Sequence, residues 1–294
     1  MIGVQTTFYG FKGDIIGKTK KLIGVFESLG MVPFVQIGPS ETKNDFETTA
    51  SKLNSLKDKH GVEYSVHQSI WLPSPEFFIN LGSSDAAVKK GSIESLKKSI
   101  DLARSIGAKN VSFHAGYAAN KATQEIEFKP LDISDSIPYE KAYSNVTAGL
   151  KQLLKYAKDV RLNVENLNYR PERRYLFSTP KDFEYLPKSA CVLFDSAHAY
   201  FSAVAAKDTT YVKKLVRVVG GKISEIHASD NDGSEDQHKL PSYGKVPFPE
   251  VFRLIAKAQN LPPVIVEANQ AKNKYTEEDL RKSIKYLVKL IGTI

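Results

Sequence analysis

Six histidines occur in the 294 residues, and five of them stand where they could do chemistry. His67 closes the run Glu63-Tyr64-Ser65-Val66, His114 closes Asn110-Val111-Ser112-Phe113, and His227 closes Ile223-Ser224-Glu225-Ile226. His198 lies just past Asp195 in Phe194-Asp195-Ser196-Ala197-His198, and His238 lies in Asp236-Gln237-His238. His60, in Lys57-Asp58-Lys59-His60-Gly61, reads as an ordinary residue in the last turn of a helix. Carboxylates hold equivalent places: Glu165 ends Arg161-Leu162-Asn163-Val164, Asp195 ends Cys191-Val192-Leu193-Phe194, and Glu267 ends Val264-Ile265-Val266. A charged group directly after a buried strand is costly unless it is paired or bound to a cation. A lone histidine or glutamate at such a place is usually a hydrogen-bonded or ion-paired residue. Five histidines and three carboxylates in matching places are hard to explain one at a time, and together they point to a metal site. Imidazole with carboxylate suits Zn, Mn or Fe better than Mg or Ca.

Such a cluster needs a scaffold that brings many strand ends to one place. Short β-rich apolar runs alternate with longer amphipathic ones along the chain. Strands are predicted at Ile2–Gln5, Pro33–Ile37, Val62–Val66, Asn110–Phe113, Arg161–Val164, Ala190–Phe194, Lys222–Ile226 and Pro263–Val266. Helices are predicted at Ile15–Leu29, Asp45–His60, Ile93–Ile106, Tyr143–Val160, Thr209–Val219, Pro249–Gln259 and Thr276–Ile291, with a short one near Pro180–Tyr185. Alternating strands and helices imply parallel pairing. Eight such units close into a (β/α)8 TIM barrel, an α/β fold whose strand ends open on one mouth. An open doubly wound sheet is the competing arrangement. The expectation is one domain over residues 1–294, since barrels of roughly this length fold as a unit. The irregular stretches Tyr117–Ile137 and Ala228–Pro247 are the long strand-to-helix loops in which function tends to lie.

With 41% hydrophobic and 25% charged residues, the composition is that of an ordinary globular protein. The net charge of +8 favours an anionic partner, such as nucleic acid or a sugar phosphate, although the lysines are spread over helix faces. The single cysteine, Cys191, has no partner for an internal disulfide and sits in an apolar run, which reads as a buried thiol. No leader-like segment precedes the first strand, and no apolar run approaches the roughly 20 residues of a membrane span. A cytoplasmic location is expected, with no membrane association and no obligate protein partner.

The segments Ser65-Val66-His67, Phe113-His114-Ala115-Gly116, Val164-Glu165-Asn166, Phe194-Asp195-Ser196-Ala197-His198, Ile226-His227-Ala228-Ser229-Asp230, Asp236-Gln237-His238 and Val266-Glu267 resemble the motifs of the xylose isomerase-like TIM barrel superfamily. Their order and spacing span nearly the whole chain. That superfamily includes endonuclease IV, a trinuclear zinc phosphodiesterase that cuts DNA at abasic sites. It also includes isomerases and epimerases of sugars and sugar phosphates, which usually use one divalent metal. By resemblance to endonuclease IV, His67, His114 and Glu165 would hold one zinc. Glu165, Asp195, His227 and Glu267 would hold a second, and His198, Asp236 and His238 a third. The sequence departs from the nuclease pattern at Thr6-Thr7-Phe8-Tyr9-Gly10, at His114-Ala115-Gly116, at Leu167-Asn168-Tyr169-Arg170-Pro171-Glu172-Arg173-Arg174 and in a longer loop after His67 with Trp71-Leu72-Pro73-Ser74-Pro75. The run His227-Ala228-Ser229-Asp230-Asn231-Asp232-Gly233 is at least as similar to the isomerase branch.

Two chemistries follow from one site. The first, favoured by the full ligand set, is hydrolysis of phosphodiesters in abasic duplex DNA by up to three Zn ions, with Mn, Fe or Co as alternatives. There Arg170, Arg173 and Arg174 would touch backbone phosphates and Trp71 would stack on bases. The plainer reading of these four is a solvated loop and packing on the barrel rim. The second is isomerisation or epimerisation of a sugar or sugar phosphate. One metal would sit at Glu165, Asp195, His227 and Glu267, and the catalytic pair Glu165 and Glu267 would exchange the proton. His67, His114 and His238 would then hydrogen-bond sugar hydroxyls. A non-catalytic ligand-binding barrel is the remaining reading, and an open cluster at a barrel mouth argues against it.

Overall fold

Apolar, β-branched runs flanked by turns make eight short strands, and a computed structural model shows them closed into one parallel barrel in sequence order. Residues 1–39, 45–68, 70–74, 77–120 and 136–294 are described. The strands are β1 (Ile2–Gln5), β2 (Phe34–Ile37), β3 (Glu63–His67), β4 (Asn110–Phe113), β5 (Arg161–Glu165), β6 (Cys191–Asp195), β7 (Ile223–Ala228) and β8 (Val264–Val266). Closure comes from β1 against β8, in the register Ile2↔Val264 and Val4↔Val266. The pairing of β6 with β7 carries an irregularity between Val192 and Leu193. The open-sheet alternative is therefore set aside.

Helices α1 (Ile15–Ser28), α2 (Phe46–His60), α3 (Ala86–Ile106), α4 (Tyr139–Ala157), α5 (Ser196–Ala205), α6 (Tyr211–Val219), α7 (Phe248–Ala258), α8 (Gln270–Asn273) and α9 (Glu277–Ile291) follow the strands. Asp14, Asp45 and Asp85 start α1, α2 and α3 by accepting backbone N–H groups of the first turn. Gly61 ends α2 at φ 64°, a left-handed conformation that costs a glycine little. The core is the shell of Leu, Ile, Val and Phe between barrel and helices, including Leu22, Phe26, Leu53, Ile100, Leu150, Phe252 and Ile284. Burying that shell is the main favourable term in folding.

Four helices depart from the sequence prediction: α3 and α4 start earlier than expected, and α5 and α8 were not predicted. α3 starts two turns before Ile93, because Asp85 caps it there. α5 was not predicted at all, because it follows β6 with no loop between them. Asp195 is both the last residue of β6 and the N-cap of α5, its Oδ1 accepting the His198 backbone N–H at 2.6 Å. Most of the predicted loop Tyr117–Ile137 lies outside the described residues.

Candidate metal centre

The barrel mouth gathers the residues that end its strands. His67, Glu165 and Asp195 are the last residues of β3, β5 and β6, and His227 is the last but one of β7. His114 and Glu267 directly follow β4 and β8. β3, β5, β6 and β7 thus run one or two residues further than the sequence predicts, and His67, Glu165, Asp195 and His227 belong to the sheet itself. Sheet hydrogen bonds fix their backbones, which makes the cluster more exact than loops would.

The nine predicted ligands fall into three groups in which one donor atom per residue lies within 4.8 Å of the others. They are His67 with His114 and Glu165; His198 with Asp236 and His238; and Glu165 with Asp195, His227 and Glu267. The last group is the deepest. Its atoms surround His227 Nδ1, with Glu267 Oε2 at 3.1 Å and both Glu165 Oε1 and Asp195 Oδ2 at 3.8 Å. All four atoms are buried, and none makes a hydrogen bond among the described residues. Three carboxylate oxygens converging on a ring nitrogen, sealed from water, are unfavourable without a cation or protons between them. These residues therefore fit a divalent metal, and Glu165, Asp195, His227 and Glu267 would hold it.

Electrostatics tell the same story. Burial opposes ionisation of Glu165, yet His114, His198 and His227 hold it well below its usual range. Glu267 is pulled to about 2 by His227 and His238 against its own burial. Asp195 goes the other way, to about 6, because burial and then the charges of Glu165 and Glu267 outweigh its imidazole neighbours. Burial would lower His198 and His227, but the surrounding carboxylates push both well above the usual histidine value.

The His67 group is built differently. His67 Nε2 and His114 Nε2 meet the second oxygen of Glu165, Oε2, at 2.7 and 3.1 Å. Burial lowers His67 against the pull of Glu165, and its Nε2 meets Glu165 Oε2. Its Nδ1 is buried and makes no hydrogen bond among the described residues. His114 Nδ1 meets the Gln68 side-chain amide at 3.3 Å, and Gln68 takes the left-handed conformation with φ 55°.

The rim group sits higher. His198, in the first turn of α5, places Nδ1 2.9 Å from the Asn166 carbonyl and Nε2 3.3 Å from Asp236 Oδ2. His238 Nε2 lies 3.4 Å from the same oxygen, and both Asp236 and His238 are partly exposed.

The four predicted substrate contacts have other neighbours. Trp71 is half-buried, with its ring 5.3 Å from that of Phe46. The Arg174 guanidinium donates to the carbonyls of Ala118 at 3.0 Å and Ile137 at 2.6 Å, and lies over Tyr139. Arg170 stacks over Phe201 at 4.7 Å, and Arg173 ends a 3-10 turn, half-buried. Sequence reasoning missed Gln5, Gln36 and Glu225, fully buried polar residues inside the strands beneath the centre. The available signal was that Glu225 precedes His227 by one strand period and so shares its face.

The chain belongs to the xylose isomerase-like TIM barrel family, whose model matches residues 27–290. Among curated proteins it is similar to the uncharacterized protein MJ1311 of Methanocaldococcus jannaschii, 27% identical over 209 residues. That match covers 68% of this chain and 62% of MJ1311. MJ1614 of the same organism, also uncharacterized, is 21% identical over 195 residues, 66% of each chain. The chain thus spans less than two thirds of the length of either relative. Among solved structures it is similar to a D-tagatose 3-epimerase-like protein, with TM-score 0.74 and 21% identity over 99% of this chain and 97% of the other. An L-ribulose 3-epimerase matches with TM-score 0.73 and 15% identity, over 99% and 94%. A D-psicose 3-epimerase in the presence of D-fructose matches with TM-score 0.72 and 15% identity, over 99% of each chain. At these identities the likeness is one of fold. Among the described residues, no helix is long and apolar enough to cross a membrane.

Proposed function

We propose that this chain is a divalent-metal-dependent isomerase or epimerase of a keto sugar or its phosphate. The observation that carries the reading is the deep centre: four buried donor atoms, from Glu165, Asp195, His227 and Glu267, with no hydrogen bonds of their own among the described residues. Family membership and the sugar epimerases among similar folds support the choice of substrate class. When bound, a divalent metal supplies Lewis acidity that polarises a carbonyl and its neighbouring hydroxyl.

The chain's own residues do the proton chemistry. Glu165 and Glu267 reach the centre from β5 and β8, on either side of His227. One carboxylate removes the proton from the carbon beside the substrate carbonyl, and the other returns a proton. His67 and His114 meet Glu165 Oε2, which turns Oε1 toward the deep centre. His238 and Asp236, on the rim, hydrogen-bond substrate hydroxyls.

One observation favours a second reading, the multi-zinc phosphodiesterase acting on abasic DNA. All nine residues of its ligand set gather into three groups. Against it stands His67. A ligating histidine normally hands its other N–H to an acceptor, and His67 Nδ1 has none among the described residues.

Metal analysis of gently purified protein, run beside a panel of ketoses and ketose phosphates in heavy water, separates the two. One ion per chain, with solvent deuterium entering the carbon beside the carbonyl, is expected. Three ions per chain with cleavage of an abasic duplex would replace this reading with the second.

A further inference from the structure

Beneath the deep centre the barrel is plugged by polar side chains rather than by the branched apolar layers usual in this fold. Gln5, Gln36, Ser65, Ser112, Asn163 and Glu225 are all at most 1% exposed. Their hydrogen bonds have a direction. Glu225 is ringed by donors: the Ser112 hydroxyl at 2.5 Å, the Asn110 and Asn163 amides at 3.3 Å each, and the Gln36 amide at 3.5 Å. With its nitrogen toward that carboxyl, Gln36 turns its oxygen the other way. Gln36 Oε1 accepts from Gln5 Nε2 at 2.7 Å and faces His227 Nε2 at 2.8 Å. Gln5 is oriented in turn by the Thr7 hydroxyl, which donates to its oxygen. Gly38 leaves room for it, since a Cβ there would come within 2.8 Å of the Gln5 side chain.

We propose that Gln36 is a positioning residue, held by Glu225 and Gln5, that keeps the His227 proton on Nε2 and so aims the Nδ1 lone pair at the centre. The inference rests on the metal reading for its purpose, but the hydrogen bond itself does not. An oxygen acceptor at Nε2 does two things for a ligating imidazole. It fixes the ring about its Cβ–Cγ bond, and it makes the facing nitrogen the one that ligates. The same residue contrasts His227 with His67, whose far nitrogen has no such acceptor among the described residues.

The test uses protein labelled with 15N-histidine and two variants. Gln36→Met keeps the volume and removes the acceptor. The double variant Gln36→Glu with Glu225→Gln exchanges amide and carboxyl and keeps an oxygen at His227. In the wild-type chain a downfield, slowly exchanging His227 Nε2–H resonance is expected, both metal-free and loaded with Zn. Gln36→Met should lose or shift it and weaken Zn and Mn binding about 10- to 100-fold. The exchange variant should restore the resonance and most of the affinity. An unchanged resonance and unchanged affinity in Gln36→Met would overturn the proposal. So would an exchange variant that folds but recovers neither, because Gln36 would then matter only for packing. If Gln36→Met does not fold, the exchange variant decides alone, by the presence or absence of the resonance. A wild-type chain that takes up no metal while showing the resonance defeats the metal reading and leaves the relay standing.

Discussion

The deep centre and the rim group use the same residue types, yet they are built in opposite ways. In the deep centre, Glu165, Asp195, His227 and Glu267 come from β5 to β8, and their facing atoms make no hydrogen bonds among the described residues. On the rim, one oxygen of Asp236 lies between His198 at 3.3 Å and His238 at 3.4 Å, so the charges answer each other. The rim carboxylate and His238 hang on the loop after β7 and are 29% and 25% exposed. The rim also leaves Asp236 Oδ1 buried without a hydrogen bond among the described residues, but it holds one carboxylate against two histidines, whereas the deep centre sets three carboxylates around one histidine nitrogen. The excess of negative charge is therefore in the deep centre, which fits a cation better than the rim does.

The sharpest way to break this comparison is at Glu267. Glu267→Gln keeps the side-chain volume and removes a charge and a candidate base. If the proposed function holds, turnover of a ketose is expected to fall by about a thousandfold or more, in the range that general acid–base catalysis contributes. The far-ultraviolet spectrum should be unchanged, because the barrel core does not include this residue. Retained turnover would mean that the chemistry lies elsewhere. The rim responds more mildly. Asp236→Ala and His238→Ala should each keep the deep metal and raise KM about tenfold, the cost of one lost substrate hydrogen bond, with kcat little changed. Loss of an ion from either variant would instead promote the rim to a metal site.

How much of this was legible in the sequence follows from what each residue contacts. The barrel and the clustering of the strand-end candidates were legible because a charge directly after an apolar run stands out, whatever the fold packs around it. His67, Glu165, Asp195 and His227 proved to lie within the strands, a shift too small to move them from the mouth. α5 was not legible because Asp195 serves as strand end and helix cap at once, so no turn residue marks the boundary. Gln36 was passed over because both faces of a barrel strand are buried, and a polar residue there does not announce which face it is on; Glu225 was passed over although its two-residue spacing from His227 marks a shared face. The roles of Arg170 and Arg174 were not legible either. Their partners are an aromatic ring and two backbone carbonyls, brought near only by the fold.

Acidity offers a milder test of the same comparison. His238 is pushed up to about 9, against its own burial, by Asp236 and then Glu267. Its folded value lies above its unfolded one, so the stability it contributes is complete below about pH 6.5 and is lost as pH rises through about 9. Asp195, raised to about 6, acts in the same direction: its contribution is complete below the unfolded carboxylate range and fades as pH passes 6. The metal-free protein should therefore melt at progressively lower temperature from about pH 6 to pH 9. Added Zn or Mn should offset part of that fall, because metal binding competes with protons on its ligands and so strengthens as pH rises. A metal-free melting temperature that stays flat or rises over this interval would contradict the charge arrangement described for the mouth.

The smallest effects are expected at the arginines, where the sequence alone suggests phosphate contacts. Arg174 joins the loop after β5 to the chain at Ala118 and Ile137 through two carbonyl hydrogen bonds, and its guanidinium covers Tyr139. Lysine keeps the charge but cannot offer the planar fork that reaches both carbonyls. Arg174→Lys should therefore cost about 1–3 kcal/mol of stability and lower the melting temperature by a few degrees. Its kcat/KM should stay within about threefold of the wild-type value, since the proposed isomerase chemistry asks nothing of this group at the reacting atoms. Arg170→Ala removes only a guanidinium stacked on Phe201, and a stability loss of roughly 0.5–1 kcal/mol is expected. The two variants are best compared on a free ketose and on its phosphate. If Arg170→Ala raises KM for the phosphate alone, the rim carries a phosphate subsite and the substrate is a sugar phosphate. If both substrates are handled as by the wild type, the loop after β5 is structural, and recognition falls to the histidines and carboxylates of the mouth.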